Sequence, residues 1–166
     1  MAELRAAVEA DLPRIAALAR WVWLDSYAGP GVSDSFARYV DAAFDPRTLR
    51  QALPGGMWVI EEGGFLLAWA QADAGAPCPV ERDEALVELV RLYVAPPQCG
   101  QGHGKRLLDH VRAAHPRRSL WLTPWEGNAG ALRFYRREGA ELWGETWFEL
   151  EGQRHRNEVL GWSPLQ

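Results

Sequence analysis

Apolar residues recur along this chain in two rhythms. Ile15, Leu18, Ala19 and Val22 share one side of a 3.6-residue repeat, which predicts a helix running to about Trp23. Asp11-Leu12-Pro13 reads as its N-cap and first turn, and Gly29-Pro30-Gly31 as its break. Phe36, Tyr39, Val40 and Ala43 predict a second helix after Ser33, and a short helical piece spans Pro46 to about Leu53. Strand-like runs occupy 3–8, 57–61, 65–72, 85–94, 119–123, 141–150 and 154–162. The turns Glu62-Gly63-Gly64 and Glu151-Gly152 make hairpins of two pairs of them. Two further helices are predicted, one over 104–114 that ends before Pro116, and one over 128–138 that stops at Gly139. The strand over 85–94 is apolar on both faces and reads as an interior strand. The expected fold class is therefore α/β (α+β).

Composition narrows the picture. A chain of 166 residues is one domain with room for a substantial core, and no internal repeat or low-complexity segment divides it. A net charge of −4 argues against nucleic acid as a partner. No apolar run is long enough for a membrane span, no signal-peptide pattern opens the chain, and a cytoplasmic protein is expected. Cys78 and Cys99 are the only cysteines and lack ligand spacing, as do the four His, so no metal is expected. The nine Trp are scattered rather than interleaved with basic residues, which suits core and pocket walls. Residues 100–140 carry eight Lys/Arg against three Asp/Glu, leaving ten against nineteen elsewhere. That asymmetry fits solvated helix faces; it also fits an anionic ligand at one end and a cationic one at the other.

The most informative stretch follows the interior strand. Leu92-Tyr93-Val94 leads through Ala95-Pro-Pro-Gln98 into Cys99-Gly100-Gln101-Gly102-His103-Gly104-Lys105, and Leu107, Leu108 and Val111 then keep helical spacing. A glycine turn that opens a helix offers free N–H donors at the positive end of the helix dipole, a site for phosphate. A Walker A loop is excluded, because Gly104-Lys105 is followed by Arg106 rather than Ser or Thr. A dinucleotide fingerprint from Gly100 fails at Lys105, where its third glycine should stand.

What remains resembles the acyl-CoA loop of the GNAT N-acetyltransferase superfamily, whose usual pattern is Gln/Arg-x-x-Gly-x-Gly/Ala. Cys99 stands where that pattern has Gln or Arg, so one side-chain donor is missing; Gln98 or Gln101 could substitute. Asn128-Ala-Gly-Ala-Leu-Arg-Phe134-Tyr135-Arg-Arg-Glu-Gly139 resembles the family's Asn-x-x-Ala-x-x-Phe-Tyr helix, with Ala140 replacing the usual aromatic. The resemblance implies a mixed, mostly antiparallel sheet of about seven strands with helices on both faces and splayed fourth and fifth strands. It implies acetyl-CoA as cosubstrate, with Leu92, Tyr93, Val94, the segment Cys99 to Lys105, Asn128 and Phe134 as its binding residues. Peptide N–H groups around Leu92 and Val94 would polarise the thioester carbonyl.

Amine attack on a thioester needs a neutral amine, a donor for the oxyanion and a proton for the leaving thiolate. The resemblance makes Tyr135 the acid; the other reading is a core tyrosine on an amphipathic helix. Asn128 is a helix cap, a cofactor contact, or both. Glu88, in Val-Glu-Leu-Val-Arg-Leu-Tyr-Val, alternates onto the face of Val90, Leu92 and Val94. It is the candidate base, with an ion pair to Arg91 as the rival role; burial would raise its pKa. His103 occupies the family's Ile/Val position and reads as a helix-start residue.

Trp23, Tyr27 and Glu126 are the candidate acceptor-binding residues, since aromatic walls with carboxylates suit a cationic amine. Tyr39 to Leu53, Trp121 to Asn128 and the closing hairpin resemble the PaiA-like polyamine acetyltransferase branch. The expected function is acetyl transfer from acetyl-CoA to a primary amine of a small molecule such as a polyamine, by direct attack in a ternary complex. The rivals are a non-catalytic acyl-CoA-binding module and an acetyltransferase for an amino acid, aminosugar or protein N-terminus. The sequence leaves a homodimer open.

Overall fold

The computed structural model describes residues 1–166. Seven strands form one mixed sheet in the order β1-β2-β3-β4-β5-β7-β6, accompanied by five α-helices. The chain groups into two compact units, Met1–Ala72 with Arg91–His110, and Asp73–Val90 with Val111–Gln166.

The first unit contains β1 (Glu3–Ala6), α1 (Leu12–Tyr27), α2 (Asp34–Ala43), α3 (Pro46–Arg50), β2 (Met57–Glu62) and nearly all of β3 (Phe65–Asp73). Adjacent pairs among β1, β2 and β3 are antiparallel. Leu12, Ile15, Phe44, Met57, Val59, Ile60 and Trp69 are fully buried here. Each such side chain contributes roughly 1.5–3 kcal/mol relative to exposure.

Helix α1 runs one turn past the predicted Trp23. Trp23 and Tyr27 stack at i,i+4 with centroids 4.7 Å apart, and the break comes only at Gly29-Pro30. Asp11 is not the side-chain cap of α1. Its buried carboxylate instead accepts from Val8 N at 2.9 Å, from both Arg5 nitrogens at 2.7 and 2.8 Å, and from Arg14 at 2.8 Å. The Arg5 guanidinium above all holds the Asp11 carboxyl well below the usual carboxylate range. Ser33 caps α2 by accepting from Phe36 N at 3.2 Å. Asp45 caps α3, which ends three residues before the predicted Leu53.

Strand β4 (Leu86–Val94) and helix α4 (His103–Ala114) each begin in one unit and finish in the other. The second unit adds β5 (Ser119–Leu122), α5 (Ala129–Arg137), β6 (Glu141–Leu150) and β7 (Gln153–Trp162). Its core includes Val87, Leu120, Trp121, Leu122, Val159, Leu160 and Trp162. Strands β4 and β5 run parallel, as expected of the splayed pair. They hold register only from Leu86↔Ser119 to Glu88↔Trp121, although β4 continues to Val94. Strand β7 is antiparallel to both β5 and β6, and β6 bulges at Trp143 between Leu142 and Gly144. The bulged indole lies on Gly161 and stacks under the Arg82 guanidinium, 3.7 Å from ring centre to Cζ. Both cysteines are free thiols.

Candidate active site

In the first unit, the turn after β4 has the predicted glycine geometry at two of its three glycines. Gly100 and Gly102 sit at φ +80° and +85°, while Gly104 lies inside α4. A Cβ at either of the first two would meet nothing within 4 Å, so the peptide groups there face open space. Gly102 O accepts the first helical bond, from Arg106 N at 3.0 Å, and the N–H groups of the first turn have no acceptor within the helix. This cradle fits a diphosphate.

The side chains of the turn contribute less than its backbone. Cys99 is exposed, with Sγ 3.7 Å from Ala95 O. Gln101 Nε2 donates to Pro97 O at 3.4 Å, and Lys105 is paired with Asp109 at 2.6 Å. His103 opens α4 with its ring on the buried stripe of Leu107 and Val111, one helical turn apart.

Leu92 and Val94 are half-buried. The Tyr93 ring packs edge-on against Phe44 and Trp69, and burial pushes its phenol up. Among the acceptor candidates, Trp23 is 7% exposed and enclosed by Tyr27, Phe36 and Tyr39, a core position rather than an open wall. Tyr27 is half-buried on the rim of the same cluster.

In the second unit, Glu88 is half-buried and stands in register with Trp121, which stands in register with Gly161. The three residues therefore share one sheet face. Along β7, Gly161, Val159 and Asn157 alternate onto that face, and Trp125 forms a bridge with Asn157. The Trp125 ring lies over Gly127, where a Cβ would come within 2.5 Å of it. Two buried polar atoms on this face, Trp121 Nε1 and Asn157 Oδ1, have no hydrogen-bond partner. Such atoms cost about 1–3 kcal/mol each, so the face carries one free donor and one free acceptor. Neither residue stood out in the sequence.

Asn128 caps α5, its Oδ1 accepting from Ala131 N at 3.1 Å. Tyr135 is 6% exposed, with its ring edge-on to Trp162 at 6.0 Å. Phe134 is half-buried beneath Arg137, with the guanidinium 5.6 Å from the ring centre. Glu126 is exposed and accepts from Arg156 Nε at 3.3 Å; Arg156 also donates to Glu145 at 3.0 Å. No group of three His, Cys, Asp or Glu side chains could hold a metal ion, and no helix is long and apolar enough to cross a membrane.

Comparison with known proteins places this geometry. The profile described as the acetyltransferase (GNAT) family matches residues 15–140. The chain is 29% identical over 159 residues to the "Probable N-acetyltransferase Rv2775" of Mycobacterium tuberculosis, covering 90% of this chain and 86% of that protein. It is 26% identical over 144 residues to the peptidyl-lysine N-acetyltransferase YiaC of Escherichia coli, covering 87% and 86%. Among solved structures, the PaiA N-acetyltransferase of Thermoplasma acidophilum, in complex with coenzyme A, superposes with a TM-score of 0.71 at 17% identity. That match covers 98% of this chain and 99% of the other. The glycine turn opening α4, the capped Asn–Tyr helix and the family match over most of the chain agree: this protein belongs to the acetyltransferase (GNAT) family.

Proposed function

We propose that the chain, as one catalytic domain, transfers the acetyl group of acetyl-CoA to a primary amine of a small molecule by direct attack in a ternary complex. The observation that carries the reading is the open, left-handed Gly100–Gly102 turn at the start of α4, which fits a diphosphate. Backbone N–H groups of the turn bind the cosubstrate's phosphates, and those near Leu92 and Val94 take the charge that develops on the thioester oxygen. Glu88 removes a proton from the incoming ammonium through water, and Trp121 Nε1–H is a donor on the same face that can hold that water. Tyr135 gives its proton to the departing sulfur as the C–S bond breaks and the C–N bond forms; the amine's proton restores the phenol. Asn128 orients the start of the helix that carries Tyr135. Small-molecule amines, polyamines among them, are the acceptors of choice; a protein lysine, as the name of the Escherichia coli relative suggests, is the alternative.

Free-thiol release from acetyl-CoA over a panel of amines tests the reading. Turnover with at least one small amine, lost in Tyr135→Phe while acetyl-CoA still binds, is expected. Acetyl-CoA binding with no turnover on any acceptor would leave an acyl-CoA-binding module instead.

A further inference from the structure

One arginine of the first unit lacks the kind of partner its neighbours have. Arg5, Arg14, Arg38, Arg47 and Arg50 each hold a carboxylate. Arg20 and Arg106 donate to the carbonyls of Val40 and Ala2. Arg91, on β4, meets only neutral side chains. Its Nη1 donates to Gln71 Oε1 at 3.3 Å, and its Cζ lies 5.0 Å from the centre of the Phe44 ring. Tyr39 and Tyr93 meet that same ring edge-on, each with centroids 6.1 Å away. Burial pushes the Tyr93 phenol up; Arg91 opposes that push, and the Tyr27 and Tyr39 phenols add to it. Three hydroxyls and the guanidinium therefore lie within electrostatic reach of one another. Phe44 is fully buried and floors the cluster, whereas Arg91, Gln71 and Tyr27 are half-buried and Tyr39 is 38% exposed. A planar guanidinium with most of its five donors unspent, in a partly solvated aromatic cluster, matches a carboxylate.

We propose that Arg91 receives the carboxylate of the acceptor, so that the small primary amine acetylated here is that of an α-amino acid. This rests on the acetyltransferase reading above and narrows its acceptor to one that carries an acid beside its amine. Leu92 and Val94, whose peptide N–H groups take the thioester oxygen in that reading, follow Arg91 by one and three residues, about 3 and 10 Å along the strand. A carboxylate held at Arg91 leaves an amine one carbon away within reach of that segment. Gln71 fixes one nitrogen of the guanidinium and leaves the others for the ligand.

The test uses the full chain with acetyl-CoA, a polyamine, and a panel of α-amino acids, each paired with its carboxamide, which keeps the amine and removes the acid. Wild type should acetylate at least one amino acid with a kcat/KM well above that for its amide and for the polyamine. Arg91→Met should raise KM for that amino acid on the order of tenfold to a hundredfold, the loss of a charge-assisted hydrogen-bonded pair. KM for the amide and the affinity for acetyl-CoA should stay at their wild-type values. Comparing acid with amide in both enzymes cancels the difference between the two amines' own pKa values. Arg91→Lys keeps the charge without the planar fork and should fall between. Amides or the polyamine used as well as amino acids by wild type, or equal losses on acid and amide in the two variants, would overturn the proposal. If nothing is acetylated, calorimetry with coenzyme A present still decides. Tighter binding of the acid than the amide by wild type, lost in Arg91→Met, supports the carboxylate site while the catalytic reading fails; equal binding of acid and amide rejects the site.

Discussion

Replacing Gly102 by Ala isolates the glycine turn from the rest of the fold. Gly102 sits at φ +85° and a Cβ there meets nothing within 4 Å, so the substitution adds backbone strain and no clash. An L-residue in this region costs about 1–2 kcal/mol. For a domain of this size, each kcal/mol lowers Tm by roughly 2–4 °C, so a fall of about 2–8 °C is expected. Gly55 is a matched control in a different turn, with φ +83° and the same open surroundings. Gly55→Ala should lower Tm by a similar amount. The two variants should part on affinity. If the turn's N–H groups hold phosphate, disturbing one charge-assisted hydrogen bond costs about 1.5–3 kcal/mol, or roughly 10- to 150-fold in Kd. Calorimetry with acetyl-CoA should therefore show that loss in Gly102→Ala and unchanged affinity in Gly55→Ala. Equal affinities in the two variants would refute the assignment of the cradle.

Three further outcomes follow from the same structure. Asp11→Ala leaves Val8 N–H without its acceptor and takes from Arg5 and Arg14 one of the two carboxylates they share, Glu61 being the other. Loss of a charge-assisted partner costs about 1.5–3 kcal/mol, and about 1–2 here because Glu61 still pairs both guanidinium groups and these are about a third exposed, so denaturant melts should show that drop. Because the folded carboxyl is held low, its stabilisation is complete above the unfolded pKa near 4 and is lost as pH falls through the folded value. The acid limb of wild-type stability should therefore flatten in Asp11→Ala. Glu88→Gln should lower kcat by about 10²- to 10⁴-fold without changing acetyl-CoA affinity, and should remove the acidic limb of the pH–rate profile. His115 is held below its ordinary pKa, chiefly by burial, so its stabilising neutral form is lost below about pH 6.5; His115→Gln should blunt the drop in Tm between pH 7 and pH 5.

Much of this fold was legible because the determinants are local. The stripes of α4 and α5, the glycine turn and the Asn128 cap depend on residues within a few positions of one another, and the structure reproduces them. Helix α1 was underestimated because its last turn is held by a Trp23–Tyr27 contact that counts as one more apolar pair rather than a signal. Asp11 was misread because a cap and an ion-pair hub begin with the same residue; the difference lies in Arg5 on β1 and Arg14 on α1. Trp23 looked like a wall because exposure depends on how α2 folds over it. Asn157 was invisible for the same reason at longer range. Thr146 on β6 pairs with it on one side, the Trp125 bridge on the other lies 32 positions earlier, and only the register of β5, β7 and β6 shows which face it occupies.

The central claim is that this chain makes an amide from a thioester. Incubating it with acetyl-CoA and an amine panel, then measuring free thiol and acetylated amine together by mass spectrometry, tests that directly. One N-acetylated product for each CoA released is the predicted result. Thiol release without acetylated amine, or bound acetyl-CoA that stays intact across the whole panel, would contradict it.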